Sequence, residues 1–248
     1  MVFPYVPAPG AGGPAGETYA AALVRTSDAG GVTQVLRSLR FTGWIVPAQD
    51  GWVPVLAVPG SGTLAAGRRG IAGVGAALAE QLGVAVVAVR VLADRQLVLV
   101  AWSGAEELGR YVSDPAREPG ADEDVLDEPF GVGAAGAIAA ACGHPGRGGD
   151  LTEILADELD PESVIESERL SRVLRLLELP TWLVAVAALP RDVPTGPAAR
   201  ELTRLGWGVP GAGGVVAARL ARVVRRRRRP PPVLADPPRG SGMDPWLM

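Results

Sequence analysis

The chain has one cysteine and one histidine in 248 residues, and it has no lysine and no asparagine. Each shortage removes a class of chemistry. Without lysine there is no Schiff base and no P-loop lysine. A lone Cys142 excludes an intramolecular disulfide and a cysteine metal cluster. One cysteine with one histidine cannot fill a structural zinc site. As a nucleophile–base pair, Cys142 and His144 lie two residues apart in a Gly-rich bend, where side chains seldom meet. Aromatics are scarce, with three Phe and three Tyr. Trp44, Trp52 and Trp102 are therefore expected to anchor the core. The longest uncharged apolar runs, Phe130–Gly143 and Pro180–Pro190, fall short of the roughly 20 residues a spanning helix needs. The opening MVFPYVPAPGAGGPAG lacks the basic start and apolar core of a signal peptide. The expected location is cytoplasmic.

Charge is present but uneven. Residues 214–248 hold 8 Arg and 2 Asp, a balance of +6. Residues 1–213 hold 16 Arg and 25 acidic residues, a balance of −9, which leaves the chain at −3. An acidic body repels nucleic acid, so any such binding would rest on the tail.

The most informative stretch is Val84–Val112. It contains three apolar runs separated by two turn signals, Ala93–Gln96 and Ser103–Glu106. Val84–Val91 and Leu97–Trp102 are apolar on both faces and read as buried strands, with Glu107–Val112 as an edge. Upstream, Thr18–Thr26 reads as a strand or a short helix. Ser27 and Asp28 can cap a helix whose face is Val32, Val35, Leu36 and Leu39. Asp50-Gly51 between two apolar runs predicts a hairpin. Pro47 and Pro54 lack N–H groups, so one arm is expected outside the sheet. A helix over about Leu64–Leu82 buries Ile71, Val74, Gly75, Leu78 and Leu82.

The order β-α-β-β-α-β plus extra strands predicts an α+β fold. Its antiparallel sheet has a ferredoxin-like core extended by the added strands. A helical segment follows over about residues 129–206. It is expected to have a flexible break at Gly143–Gly149 and a helix start at Asp160-Pro161. Trp182–Leu189 reads as either strand or helix, and one more short helix is expected within Gly196–Gly206. Residues 1–16 read as a disordered N-terminus, 17–206 as the domain, and 207–248 as a flexible basic Pro/Arg-rich tail.

Four places carry a resemblance: Gly51-Trp52, the segment Leu97–Val112, Ser113-Asp114-Pro115, and the late helix around Glu166–Pro180. Over about residues 40–182 the chain resembles a family of bacterial proteins known only as predicted and without an assigned activity. That likeness implies a fold and no chemistry. Family members carry a more acidic and aromatic segment at Ser-Asp-Pro, where this chain has Pro115-Ala116-Arg117.

Gly131–Gly136 matches Gly-x-Gly-x-x-Gly. A dinucleotide site needs an apolar strand just before the glycines. Here acidic residues and Pro129 precede them, so a small-residue helix packed on the sheet is expected and no cofactor. The candidate anion site is Gly60, Ser61, Gly62 and Thr63 with Arg68 and Arg69. Cations in the first turn of a helix oppose its dipole, and a bound anion would remove that conflict. The plainer reading is a loop capped by Thr63 with solvated arginines. The carboxylates of Asp122–Glu128 lack the calcium-loop pattern, so no structural metal is expected there. They read as a solvated loop able to face a basic partner. Arg225, Arg226, Arg227, Arg228 and Arg229 could contact anionic membrane or nucleic acid.

These features favour a non-enzymatic protein-interaction or regulatory module, with another protein as its partner. One alternative is an enzyme or sensor that binds a phosphate or nucleotide at Gly60–Arg69. Another is a tether to anionic membrane or nucleic acid through the tail.

Overall fold

The computed structural model describes residues 17–58, 64–115, 128–157, 165–189, 192–193 and 195–206. The elements are, in order, β1 (Tyr19–Val24), α1 (Ala29–Ser38), β2 (Gly43–Ile45), β3 (Val53–Ala57), α2 (Ile71–Leu82), β4 (Ala85–Leu92), β5 (Gln96–Ser103), β6 (Glu106–Val112), α3 (Ala135–Ala141), α4 (Gly148–Ala156), α5 (Glu166–Leu176) and β7 (Thr203–Leu205). The seven strands form one antiparallel sheet in the order β6-β5-β4-β1-β3-β2-β7. The fold is α+β.

β5 pairs with β4 and β6, as its two apolar faces imply, but it lies second from an edge. The middle of the sheet is β1, and all six of its residues are buried. Side chains alternate between two cores. Ala20, Ala22 and Val24 face α1 and α2, whereas Tyr19, Ala21 and Leu23 face the later helices. The small alanines admit helices closely. At Gly75 of α2, an added Cβ would come within 2.9 Å of the Trp102 ring. The opposite face is covered by α3, α4, α5 and a 3-10 segment at Thr181–Ala188, through Ile138, Leu151, Leu155, Leu170, Leu174 and Leu183. The helical segment is thus the second cover of a three-layer fold. Among the described residues no helix is long and apolar enough to cross a membrane.

Local chemistry explains the boundaries. Asp28 caps α1, its Oδ1 accepting from Gly31 N at 2.9 Å. Asp50 and Gly51 take φ of 50° and 81°, and Gln49 and Trp52 exchange two backbone bonds of 2.8 Å. This is the tight hairpin that Asp-Gly favours.

The structure corrects several expectations. Pro54 sits inside β3, between β1 and β2. Its carbonyl accepts from Val46 N at 2.9 Å. Its missing N–H falls on that same side, where β2 ends, so only a terminal ladder bond is lost. The break at Gly143–Gly149 is a 3-10 turn, Pro145–Arg147, running directly into α4. Asp160-Pro161 lies outside the described residues, and α5 begins at Glu166. Of the two readings of Trp182–Leu189, the structure has the helix, of 3-10 type over Thr181–Ala188. Within Gly196–Gly206 the short 3-10 helix Ala199–Glu201 is followed by β7, which returns to the sheet.

The glycine-rich stretch gains a structural explanation. Phe130 and Val112 exchange backbone bonds of 2.8 and 3.0 Å, which lays the chain along the edge of β6. Gly131 follows at φ 81°, and a Cβ there would stand 1.9 Å from the Arg110 carbonyl oxygen. Gly133 has open space where its Cβ would go. Gly131→Ala should therefore destabilise the protein by about 1–3 kcal/mol or more from backbone strain, before the clash is counted. Gly133→Ala should be neutral or stabilising by up to about 1 kcal/mol. Urea unfolding of both variants checks the contrast; equal effects would mean that Gly131 is not clamped on the edge.

Candidate functional site

Gly60, Ser61, Gly62 and Thr63 lie outside the described residues, as do Arg225–Arg229 and Asp122–Asp127. Arg68 and Arg69 are exposed. Arg68 ends a 3-10 turn, Ala66–Arg68, at φ 59°, and Arg69 is extended. Arg69 Nη1 donates to the Ala66 carbonyl at 3.0 Å. α2 starts only at Ile71, with Gly70 as its N-cap. Both arginines therefore precede the helix, and the expected conflict with its first-turn dipole does not arise.

Cys142 is buried at the end of α3. Burial pushes its thiol up to about 12, although the nearby Arg25 guanidinium acts in the opposite sense. At neutral pH it is a protonated thiol, not a thiolate nucleophile. Among the described residues, no three or more His, Cys, Asp or Glu side chains are grouped to hold a metal ion.

The most developed polar arrangement is one that sequence reasoning missed. It forms where the β4–β5 turn, the end of β6 and the start of α5 meet. Ile165, the N-cap of α5, offers no side-chain cap. Asp94 supplies it from the β4–β5 turn. Its carbonyl accepts from Glu166 N at 2.9 Å, and its Oδ1 accepts from Ser167 N at 2.8 Å. These bonds satisfy two N–H groups that a helix start leaves open. Tyr19 OH lies 2.8 Å from Ser167 Oγ. Ser113 Oγ accepts from Leu97 N at 2.9 Å, and Gln96 Nε2 donates to the Asp114 carbonyl at 2.6 Å.

Arg169 is the centre of this cluster and only 4% exposed. Its Nη1 donates to Tyr111 OH and, at 3.4 Å, to the Leu155 carbonyl. Its Nη2 donates to the Asp157 carbonyl at 2.6 Å. Tyr111 OH in turn donates to the Leu155 carbonyl at 3.0 Å. One guanidinium thus joins β6, α5 and the end of α4. Glu166 is 2% exposed, with Oε2 at 3.4 Å from Arg169 Nε. The two are an ion pair by distance, yet neither of these atoms makes a hydrogen bond. Burial raises the Glu166 carboxyl above its usual range. Arg169 and the Ser113 hydroxyl oppose that, while Asp94 and Asp114 add to it. Burial also lifts Tyr111 to about 12, against the pull of Arg169. With its charged groups this deeply enclosed, the cluster acts as a fastener between layers. The sequence signal for it was slight: Glu166 and Arg169 stand three apart ahead of an apolar stripe, and Ser113-Asp114 follows a strand.

Two outcomes follow. Arg169→Met leaves Glu166 buried without its counter-charge and should cost about 3–5 kcal/mol in urea unfolding. Adding Glu166→Gln should recover part of that loss. The pH dependence has a definite sign. Glu166 is a carboxyl whose folded pKa lies above its unfolded value, near 4.5. Its contribution is fully present below that pH and is lost as pH rises through the folded value. Relative to wild type, Glu166→Gln should therefore gain stability between pH 4 and pH 7. A constant difference across that range would show that Glu166 titrates as it does in the unfolded chain.

No family model, curated protein or solved structure matches this chain.

Proposed function

We propose that this chain is a non-enzymatic protein-interaction or regulatory module of a bacterial cytoplasmic protein, built on a ferredoxin-like core. The element order β-α-β-β-α-β and the strand order β4-β1-β3-β2 support that core. β5 and β6 extend it on one edge and β7 on the other.

One observation carries the interaction reading. Among the described residues, the large exposed hydrophobics are Phe130 at 56% and Ile165 at 43%. Both lie at the same end of the sheet. Phe130 bridges Val112, and Ile165 directly precedes Glu166, which bonds to the β4–β5 turn. Exposed large apolar side chains at one rim of the sheet, beside polar groups, are the kind of anchor a protein contact can use. The alternative, a phosphate or nucleotide binder at Gly60–Arg69, keeps two exposed arginines but loses the helix-dipole conflict that favoured it.

The test is affinity capture from the native host, followed by light scattering of the isolated complex. A stoichiometric complex is expected for the wild type, weakened by Phe130→Ser with Ile165→Ser. A complex unchanged by both substitutions would remove this surface from the reading, and turnover of a small molecule by the purified chain would overturn the module itself.

A further inference from the structure

Arg68 and Arg69 do not stand alone. Ala66 N donates to the Leu39 carbonyl at 2.9 Å, and Thr42 N to the Leu64 carbonyl at 2.7 Å. These bonds bind the loop before α2 to the chain just after α1. Arg37 lies in the last turn of α1, and Arg40 follows it, its N donating to the Arg37 carbonyl at 3.0 Å. Two segments almost thirty residues apart are thus tied side by side, and the four arginines they carry, Arg37, Arg40, Arg68 and Arg69, are all exposed. No salt bridge reaches any of the four among the described residues. Arg40 and Arg68 also hold left-handed backbone, at φ 54° and 59°. That conformation favours glycine, and a side chain there carries a cost that a functional role can offset.

We propose that this four-arginine surface docks an acidic segment of a partner protein. Guanidinium groups accept carboxylates in fork geometry, and four of them can span several acidic side chains. The four arginines are exposed, at the end of α1 and in the loops after α1 and before α2, which suits an extended acidic surface that several guanidinium groups can engage at once. Residues 1–213 as a whole carry a net charge of −9. A long polyanion such as nucleic acid would be repelled beyond the patch, whereas a short acidic segment would meet only the arginines. The surface is at the same end of the sheet as Phe130 and Ile165, because Thr42 leads into Gly43, which pairs with Ala57 and Leu205 at that end. The proposal rests on the interaction-module reading and names the chemistry of its partner.

The experiment measures fluorescence anisotropy of a labelled Glu-rich peptide with the full-length protein at low salt. The background carries Arg225–Arg229 replaced by Ala, so that the tail does not contribute. The peptide should bind and should be released by salt. Replacing Arg37, Arg40, Arg68 and Arg69 by Ala should weaken it roughly tenfold or more, with an unchanged circular dichroism spectrum. Arg→Lys at the same four positions should restore part of the affinity and guards against a folding artefact. Equal binding by the parent and the Ala variant would overturn the surface. Tighter binding of single-stranded DNA or phosphatidylserine vesicles than of the peptide would overturn the acidic protein segment as occupant. The module reading fails separately. If the native complex forms equally with the four-alanine variant, the arginine surface is wrong and the module stands. If no native complex forms yet the peptide binds the arginines, the surface stands and the module is wrong.

Discussion

The structure depends on a sheet that is apolar on both faces. Leaving either face of β1, β4 and β5 in water would expose much of the core, at roughly 25 cal/mol for each Å² of apolar surface. Each face must therefore be covered, and the chain covers them in sequence order. α1 and α2 close one face while the sheet is being laid down, and α3, α4, α5 and the 3-10 segment close the other afterwards. The last strand, β7, then returns to pair with β2. The helical segment has no core of its own, since its apolar residues belong to the cluster they share with the sheet.

Covering the second face raises a problem that hydrophobicity alone does not solve. Apolar contact is not directional, so a helix such as α5 could slide on the sheet. Polar bonds set its place. Asp94 caps the start of α5 from the β4–β5 turn, and Arg169 reaches Tyr111 on β6 and the carbonyls of Leu155 and Asp157. A buried guanidinium is costly in itself and is tolerated where hydrogen bonds surround it. The misaligned pair of Glu166 and Arg169 means that this fastener positions the layer more than it stabilises it.

Local pattern made much of the fold legible. β5 and its two neighbours, the Asp50-Gly51 hairpin, the Asp28 cap and the buried stripes of α1, α2 and α5 all follow from residues close in sequence. What escaped was set by distant partners. The strand at Thr203–Leu205 carries two exposed residues and becomes a strand because the edge of β2 is there to pair with it. Pro54 could enter β3 because β2 stops beside it. The capping of α5 could not be read from Ile165, since Asp94 is more than seventy residues away. The same holds for the candidate site. Arg68 and Arg69 were visible as a pair, but Arg37 and Arg40 join them only through the bonds at Leu39, Thr42, Leu64 and Ala66.

With both faces covered, the sheet itself can be reached only at its two edges. The edges are poor sites for strand addition. Phe130 and Gly131 lie along the end of β6, and the rest of that strand carries Glu106, Glu107 and Arg110, the last two paired at 2.7 Å. Charged side chains and an overlying segment are common ways to block edge pairing. β7 is three residues long and offers little backbone for a partner strand. The exposed arginines and hydrophobics lie instead at the end of the sheet where α1 finishes, α2 begins and the β4–β5 turn meets α5. The exposed arginines stand at one side of that end and the exposed hydrophobics at the other. A partner engaging both would need acidic and apolar groups on one surface, a more demanding match than charge alone.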